Sequence, residues 1–151
     1  MGLLLPMCSS VCRDCGHKFK HPVLGDFSYG SFILTRKDGL AFRYMNALEN
    51  PAWDFVNARL EAPDNDSVKA HATLLQEIVA RIADSSEGPP FTMSVVCPCC
   101  KSRHTQDDIN VPTTTEEIPY ATFDAFMTME EDGRIQMLEK IEARVRGGFS
   151  V

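Results

Sequence analysis

The chain has 151 residues, 44% of them hydrophobic and 24% charged, with a formal net charge of −6 and a pI near 5.1. This length and hydrophobic content favour one domain with its own core, spanning residues 1–151. The acidic balance argues against a protein whose whole surface binds nucleic acid, because such proteins carry a basic excess that neutralises phosphates. The chain contains no apolar run near the roughly 20 residues that a membrane helix requires, so we expect no membrane attachment.

The first residues, Met1-Gly2-Leu3-Leu4-Leu5-Pro6, have neither a cationic segment nor a long apolar one. We therefore expect no signal peptide. Without a secretory signal, the six cysteines are expected to be reduced thiols rather than disulfides, because the cytosol keeps thiols reduced. The sequence predicts a cytoplasmic protein.

The first predicted element in chain order is a short cysteine turn over residues 11–21. Its Cys12 and Cys15 have the C-x-x-C spacing that lets two thiolates of one turn approach a single metal ion. Gly16 follows directly and can adopt the positive φ that turns backbone amides toward the sulfurs. The turn is therefore predicted to be half of a metal site, followed by an insertion over residues 22–94.

The insertion is predicted to begin with a β-hairpin. Its strands cover residues 32–35 and 40–44, and Asp38-Gly39 supplies the turn between them. Aromatic residues are expected to fill the core of the hairpin, namely Phe27, Tyr29, Phe32, Phe42 and Tyr44.

Two helices are predicted next. Asn50 followed by Pro51 is typical of an N-cap and the first helical position. The apolar residues of this short helix that share one face are Trp53, Val56 and Leu60. A loop over residues 63–67 then precedes a longer helix. Its predicted buried side is formed by Val68, Ala72, Leu75, Ile78, Val79 and Ile82.

Residues 91–96 predict a strand that leads into a second cysteine turn over residues 95–104. This turn contains Cys97-Pro98-Cys99-Cys100, with Lys101 where the first turn has Gly16. A C-terminal helical segment is expected over residues 113–148. The inner stripe of its last helix is Ile135, Leu138, Ile141 and Val145.

The two cysteine turns together resemble the halves of a split zinc ribbon, as found in zinc-knuckle proteins with a CxxC and a CPxC pair. The resemblance covers residues 11–21 and 95–104, and it departs from the usual spacing because the 81 residues 16–96 separate the pairs. It implies an α+β fold with an inserted hairpin and helices, and a structural zinc ion. The implied ligands are Cys12, Cys15, Cys97 and Cys100.

A long insertion between the half-sites is physically acceptable. Lengthening a loop from about 20 to about 80 residues costs on the order of 1.2 kcal/mol. A zinc thiolate site contributes on the order of 10 kcal/mol in small peptides. The metal can therefore join the two ends of the insertion.

The sequence does not decide whether other cysteines and histidines are metal ligands. Cys8 and Cys99 are either spare small residues or part of a second metal site or an iron–sulfur cluster that uses all six cysteines. His17 and His104 could each replace a thiolate, or could lie outside the ligand set. His21 and His71 have no partner that the sequence identifies.

Catalysis is not expected. Four thiolates leave no coordination position open for water, and no H-E-x-x-H pattern occurs. An alternative is a thiol–disulfide oxidoreductase that uses Cys97 and Cys100, since the CPxC turn looks somewhat like that of glutaredoxins. However, residues 102–108 do not predict the helix that such chemistry requires.

Charge placement suggests two kinds of partner. The cysteine turns carry a net charge of about +4 and the remainder about −10, so a zinc-ribbon nucleic-acid-binding or transcription-related regulator is one alternative. The acidic runs 116–117 and 130–132 favour another partner, a basic protein. The leading hypothesis is a protein-interaction or inhibitor module of the immunity type.

Overall fold

The computed structural model describes residues 2–24, 30–60, 68–85, 88–108 and 114–147, which form a mixed α+β fold with two antiparallel sheets and four α-helices. In chain order the elements are β1 (Gly2–Cys12), β2 (Lys18–Pro22), β3 (Ser31–Arg36), β4 (Phe42–Asn46), a 3-10 helix (Ala47–Glu49), α1 (Pro51–Arg59), α2 (Val68–Ile82), β5 (Phe91–Thr92), β6 (Thr105–Asp108), β7 (Thr114–Pro119), α3 (Asp124–Met127) and α4 (Glu131–Gly147).

The first sheet is built around the long strand β1. β2 pairs with one edge of β1, while β6 and β7 follow one another along the opposite edge. This placement follows from the register, because Met7 pairs with both Pro22 of β2 and Thr114 of β7 and must therefore have them on opposite sides. β1 thus pairs with segments on both sides of the insertion, β2 before it and β6 and β7 after it.

The second sheet contains the predicted hairpin. β3 and β4 pair antiparallel, and Gly39 between them has a φ of +75°. The third strand, β5, is shorter than the predicted strand over residues 91–96. Pairing with β3 stops after Thr92, and the next amide, that of Met93, instead donates to the carboxylate of Glu77 at 3.1 Å.

Alternate side chains of β3 face opposite layers, as the period of a strand requires. Phe32 and Leu34 pack with the helices, whereas Ile33 packs toward the first sheet. The second sheet therefore lies between the first sheet and the helices. The apolar cluster between the two sheets consists of Leu5, Met7 and Ile118, with Leu3, Ile33, Phe42 and Tyr44 against it. Phe27 and Tyr29 lie outside the described residues.

The helices form the larger core. Asn50 caps α1 as predicted, accepting hydrogen bonds from the amides of Ala52 and Trp53 at 3.0 and 3.1 Å. α2 packs against α1, α4 and β5. The buried side chains of this core are Leu34, Met45, Ala52, Val56, Leu75, Ile78, Val79, Ala80, Ile82, Ala83, Phe91, Phe123, Phe126 and Leu138. Ala72 is half-buried, and the side chain of Val68, like the loop at 63–67, lies outside the described part of the chain.

The segment predicted as helical over residues 113–148 begins with a strand. Residues 114–117 are exposed, and Ile118 is the one buried side chain of β7. The prediction of a helical segment is therefore wrong for residues 114–119, whose polar side chains belong to a strand with a solvent-exposed face. The predicted final helix is confirmed, with Leu138 buried and Ile135, Ile141 and Val145 half-buried. Of the helices described, none is both long and apolar enough to cross a membrane.

Candidate metal centre

Two tight turns bring four cysteine sulfurs together at one end of the first sheet. The Sγ atoms of Cys12 and Cys100 lie 3.4 Å apart, and those of Cys15 and Cys97 lie 3.7 Å apart. All four sulfurs lie within 4.8 Å of one another. The four cysteines that the sequence singled out therefore form one cluster, although 81 residues (16–96) separate the two turns.

The two turns have the same backbone hydrogen bonds. The amide of Cys12 donates to His17 O and the amide of Gly16 donates to Cys12 O, both at 2.9 Å. In the second turn, Cys97 and Lys101 occupy the equivalent positions and make the equivalent bonds, both at 2.9 Å.

The residue that follows each second cysteine has a positive φ. The angle is +77° at Gly16 and +66° at Lys101, the one non-glycine with positive φ in the described part of the chain. Lysine at this position adopts a conformation that glycine adopts without cost.

Backbone amides point at the sulfurs and set their acidity. Burial raises the pKa of Cys12, but hydrogen bonds lower it by a larger amount, so that the net pKa is about 6. These bonds come from the amides of Cys15 and Asp14 and from the thiols of Cys100 and Cys15. The amide of His17 lowers the pKa of Cys15, yet burial and the neighbouring thiols together raise it to about 12. Without a cation the cluster therefore favours partial ionisation, since adjacent thiolates repel one another.

The cluster has the dimensions of a tetrahedral metal site. A Zn–S bond of about 2.3 Å implies sulfur–sulfur separations of about 3.8 Å, close to those observed here. All six cysteines are free thiols. Cys12 and Cys97 are buried, whereas Cys15 and Cys100 are exposed, so the cluster lies at the surface with its inner half enclosed. This set of donors can hold a metal ion.

Side chains near the cluster join the two turns to each other. The amide of Arg13 donates to His104 O at 2.7 Å. Asp14 accepts hydrogen bonds from the hydroxyl of Ser102 and from Nδ1 of His104, the latter at 3.1 Å. The Ser102 hydroxyl holds the pKa of the Asp14 carboxyl below its usual value, and His104 lowers it further. These bonds hold the turns together independently of a metal.

The candidate histidines do not join the four sulfurs. His104 contacts Asp14, and the ring of His17 stacks on Phe19 with centroids 6.4 Å apart. Neither belongs to a group of metal-ligating side chains among the described residues. His17 and His104 therefore lie outside the ligand set.

The two remaining cysteines are separate from the cluster and from each other. Cys99 is exposed and belongs to neither group of possible ligands found in the described residues. Cys8 groups instead with His21 and Asp107. This geometry does not fit one cluster built from all six cysteines. The pairing of His21 with Asp107 is the feature that sequence reasoning missed, because it depends on the register of β1 with β2 and β6.

The CPxC turn is followed by a strand and not by a helix, since the residues after Cys100 lead into β6. A helix N-terminus beside the first cysteine is one of the features that stabilise a reactive thiolate in that chemistry. The prediction that residues 102–108 do not form such a helix is confirmed.

Comparison of the chain with protein-family models, with curated proteins and with solved structures gives no significant match. The fold and the site therefore define the class by themselves. The chain is an α+β protein with a four-cysteine cluster that can hold a metal ion at one end of its first sheet.

Proposed function

We propose that this protein is a non-catalytic zinc-binding protein that acts as a protein-interaction or inhibitor module, of the immunity type, for a basic partner. The observation that carries the proposal is the closed set of four sulfurs, which leaves no coordination position open for water or substrate. On this proposal the zinc ion is structural and its ligands are Cys12, Cys15, Cys97 and Cys100.

The donor set supports zinc. Thiolates favour borderline and soft ions, and four thiolates in tetrahedral geometry are typical of zinc or of iron–sulfur centres. The antiparallel arrangement of β1, β2 and β6 around the two turns supports the resemblance to a split zinc ribbon. The insertion over residues 22–94 then contributes the second sheet and the first two helices.

The partner surface that we propose lies on β7. Its Thr114, Thr115, Glu116 and Glu117 are all exposed, and Leu4, opposite Glu117 on β1, is 69% exposed. β7 pairs with β1 along one edge. Among the described residues no other strand forms a ladder with Thr114–Pro119, and the next residue, Tyr120, makes a single parallel bridge to Tyr44 of β4. An exposed strand edge with acidic side chains and an apolar neighbour suits a basic segment that adds to the sheet.

Nucleic acid is the second candidate. Arg13, Lys18 and Lys20 are exposed near the stacked rings of His17 and Phe19. Because side chains alternate along β2, Lys18 and Lys20 can contact phosphates on one face of the strand, and the ring of Phe19 can stack on a base on the other. The stronger explanation of the same charges is that they offset the formal charge of −2 on zinc with four thiolates, which is why nucleic acid is placed second.

The metal assignment is tested by elemental analysis of the purified protein. Cys12→Ser and Cys100→Ser should lose the zinc and lower the melting temperature, because metal binding and folding are coupled. Cys99→Ser is the matched control, since it removes a thiol of the same turn that lies outside the cluster. Retention of zinc by a fully folded Cys12→Ser or Cys100→Ser variant would show that the ligand assignment is wrong.

The partner is tested by affinity purification from the native host, followed by mass spectrometry and by binding measurements with the purified partner. The double variant Glu116→Lys/Glu117→Lys should weaken binding at least tenfold, whereas Glu49→Lys/Asp54→Lys changes the net charge equally on another surface and should not. Recovery of nucleic acid alone, with binding abolished by Lys18→Glu/Lys20→Glu, would favour the second candidate and exclude the first.

A further inference from the structure

We propose that Cys8, His21 and Asp107 form a second metal site, open to a fourth ligand and separate from the four-cysteine cluster. One ligand atom from each of the three residues lies within 4.8 Å of the others. The proposed ion is a divalent transition metal that accepts sulfur, nitrogen and oxygen donors together, such as Zn²⁺. The inference is independent of the function proposed above.

The three side chains come from three adjacent strands of the first sheet. Cys8 on β1 lies directly opposite His21 on β2. Asp107 on β6 lies opposite Ser10, which is two residues from Cys8 and therefore on the same face of β1. Because hydrogen-bonded strands fix these positions, the ligand atoms are brought together by the sheet rather than by a loop.

The hydrogen bonds of His21 determine which ring nitrogen is available. Nδ1 lies 3.2 Å from the carbonyl oxygen of Pro22, which can only accept, so Nδ1 carries a hydrogen and donates it. In the neutral ring, Nε2 then presents a lone pair. A ligating histidine usually has this arrangement, with the other nitrogen donating to a carbonyl or carboxylate.

The group that faces Nε2 is itself an acceptor. Oδ1 of Asp107 lies 2.9 Å from Nε2, and an ionised carboxylate has no hydrogen to donate. Two lone pairs at this distance repel each other unless a cation lies between or beside them, either a proton on Nε2 or a metal ion. The side chain of His21 is only 5% exposed, so water does not separate the two atoms.

The charges of the three side chains suit a divalent ion. A thiolate at Cys8 and a carboxylate at Asp107 carry two negative charges, which one divalent ion neutralises, and a neutral group costs less to bury than a charged one. A neutral Cys8 thiol beside an imidazolium–carboxylate pair is a neutral group as well, so counting the bound metal decides between a proton and a metal ion at Nε2.

The site has the features of an open one. Three protein ligands leave a fourth position of a tetrahedral ion for water or another small ligand. The Asp107 side chain is 49% exposed, so such a ligand can reach the ion from solvent. Ser10, which is 2% exposed, lies 3.1 Å from Asp107 Oδ1 and donates from its hydroxyl, which orients the carboxylate.

The same contacts argue against a cysteine nucleophile activated by histidine. Such chemistry needs a ring nitrogen that lies in hydrogen-bond contact with the thiol and accepts its proton. The hydrogen-bond contacts of the two nitrogens of His21 are with Pro22 O and Asp107 Oδ1, and neither is with Cys8. The three residues therefore suit metal ligation better than covalent catalysis.

The experiment counts metal in the full-length protein. Protein that holds one equivalent of zinc, in the four-cysteine site, is titrated with Co²⁺, which gives a thiolate-to-cobalt absorption band when it binds through Cys8. We expect a second equivalent of metal and this band in the wild type and in Cys99→Ser. Cys8→Ser should lose the band, and Asp107→Asn should weaken the affinity for the second ion by about 10–100-fold or more, as expected when a ligand is lost.

Each outcome decides the proposal. Retention of one tightly bound zinc by Cys8→Ser and Asp107→Asn shows that both variants are folded and that the four-cysteine site is intact. Binding of a single equivalent by the wild type at saturating Co²⁺ would overturn the second site. A second equivalent that persists unchanged in Cys8→Ser and Asp107→Asn would also overturn it. Failure of the four-cysteine site appears separately, as loss of the first zinc.

Discussion

Gly39, at the tip of the β3–β4 hairpin, packs directly against Pro98 of the second cysteine turn. A Cβ atom added to Gly39 would lie 2.8 Å from Pro98 Cα and 2.9 Å from the carbonyl oxygen of Val96. Both neighbours are backbone atoms, which cannot move aside as a flexible side chain can. The inserted hairpin therefore positions the turn that contains Cys97 and Cys100.

Gly39→Ala should destabilise the protein by about 2–4 kcal/mol, because it adds a steric clash to a strained positive φ. It should also speed the release of metal to a chelator. Denaturant unfolding and zinc-release kinetics measure the two effects.

Gly16→Ala is the matched control, since Gly16 has a similar φ of +77° but no atom within 4 Å of an added Cβ. It should cost about 1–2 kcal/mol. Equal losses in the two variants would show that the contact between the hairpin and the turn is energetically unimportant.

Lys101→Gly should stabilise the protein by about 1 kcal/mol, because glycine adopts the φ of +66° without the cost that lysine incurs. The exposed hydrogen bond from Lys101 Nζ to Pro98 O is lost, and it contributes little. The melting temperature measures the change. Lys18→Gly, in strand β2, should lower it, and a loss in Lys101→Gly would contradict the prediction.

Glu77→Ala should cost about 3–5 kcal/mol, because it leaves a buried arginine without its partner. Glu77 accepts from Arg81 Nε at 3.0 Å, from the Thr92 hydroxyl at 2.9 Å and from the Met93 amide at 3.1 Å. The side chains of Glu77 and Arg81 are 15% and 8% exposed. Equilibrium unfolding in urea measures the loss.

Glu142→Ala provides the comparison for Glu77. It removes the same kind of ion pair, between a glutamate and an arginine four positions later, but the Arg146 partner is 59% exposed. The expected cost is about 0.3–0.5 kcal/mol. Similar losses in the two variants would contradict the importance assigned to burial.

Asp84→Asn should lower stability at neutral pH by about 1 kcal/mol, because the amide replaces one of the two acceptor oxygens with a donor and removes the charge that strengthens its hydrogen bonds. Asp84 accepts from the Thr122 hydroxyl and from the amides of Asp124 and Ala125 at the start of α3, at 2.7, 2.8 and 3.1 Å. Burial raises the pKa of Asp84, but these donors lower it by a larger amount, so the net pKa lies below the usual 3.8.

The direction of this shift fixes the pH dependence. A lowered pKa in the folded state means that the stabilisation is present above about pH 4 and is lost as the pH falls through the folded pKa. The difference in unfolding free energy between the wild type and Asp84→Asn should therefore shrink in acid. Because metal loss affects both proteins, the difference isolates Asp84, and a constant difference down to pH 2.5 would contradict the assignment.

Removal of the metal should loosen the end of the first sheet more than the helical core. We expect a chelator to speed amide exchange at Cys12 and Thr105, which are paired near the cluster, while Ile78 and Val79 in α2 stay protected. Hydrogen exchange read by mass spectrometry tests this. Uniform exchange throughout the chain would instead indicate that metal binding and folding are a single event.

The sequence predicted the local elements well where residue type and hydrophobic periodicity indicated the same structure. The hairpin, the Asn50 cap and the two cysteine turns all depend on residues close together in the chain. The joining of the two turns was also predictable, because one metal ion explains four thiols at these spacings. The metal-binding preference of thiols therefore predicts a contact between two turns that the insertion separates in sequence.

The first sheet was the part that the sequence did not reveal. Residues 2–12 contain Pro6 and three consecutive leucines, which lack a clear alternation, and 114–117 are polar. Each becomes a strand only because the other lies beside it, since strand stability depends on cross-strand partners. The group of Cys8, His21 and Asp107 depends on the same pairing, so residue spacing alone could not identify it.

β1 is separated from β6 and β7 by about a hundred positions. During synthesis, β1 and the first thiol pair therefore leave the ribosome well before the strands and thiols that complete them. Until Thr105–Asp108 and Thr114–Pro119 emerge, one edge of β1 is open to pairing with other chains, and Cys12 and Cys15 are open to oxidants. In the cell, the interval between the first turn and the last strand is thus the period in which this protein is most exposed to misassembly.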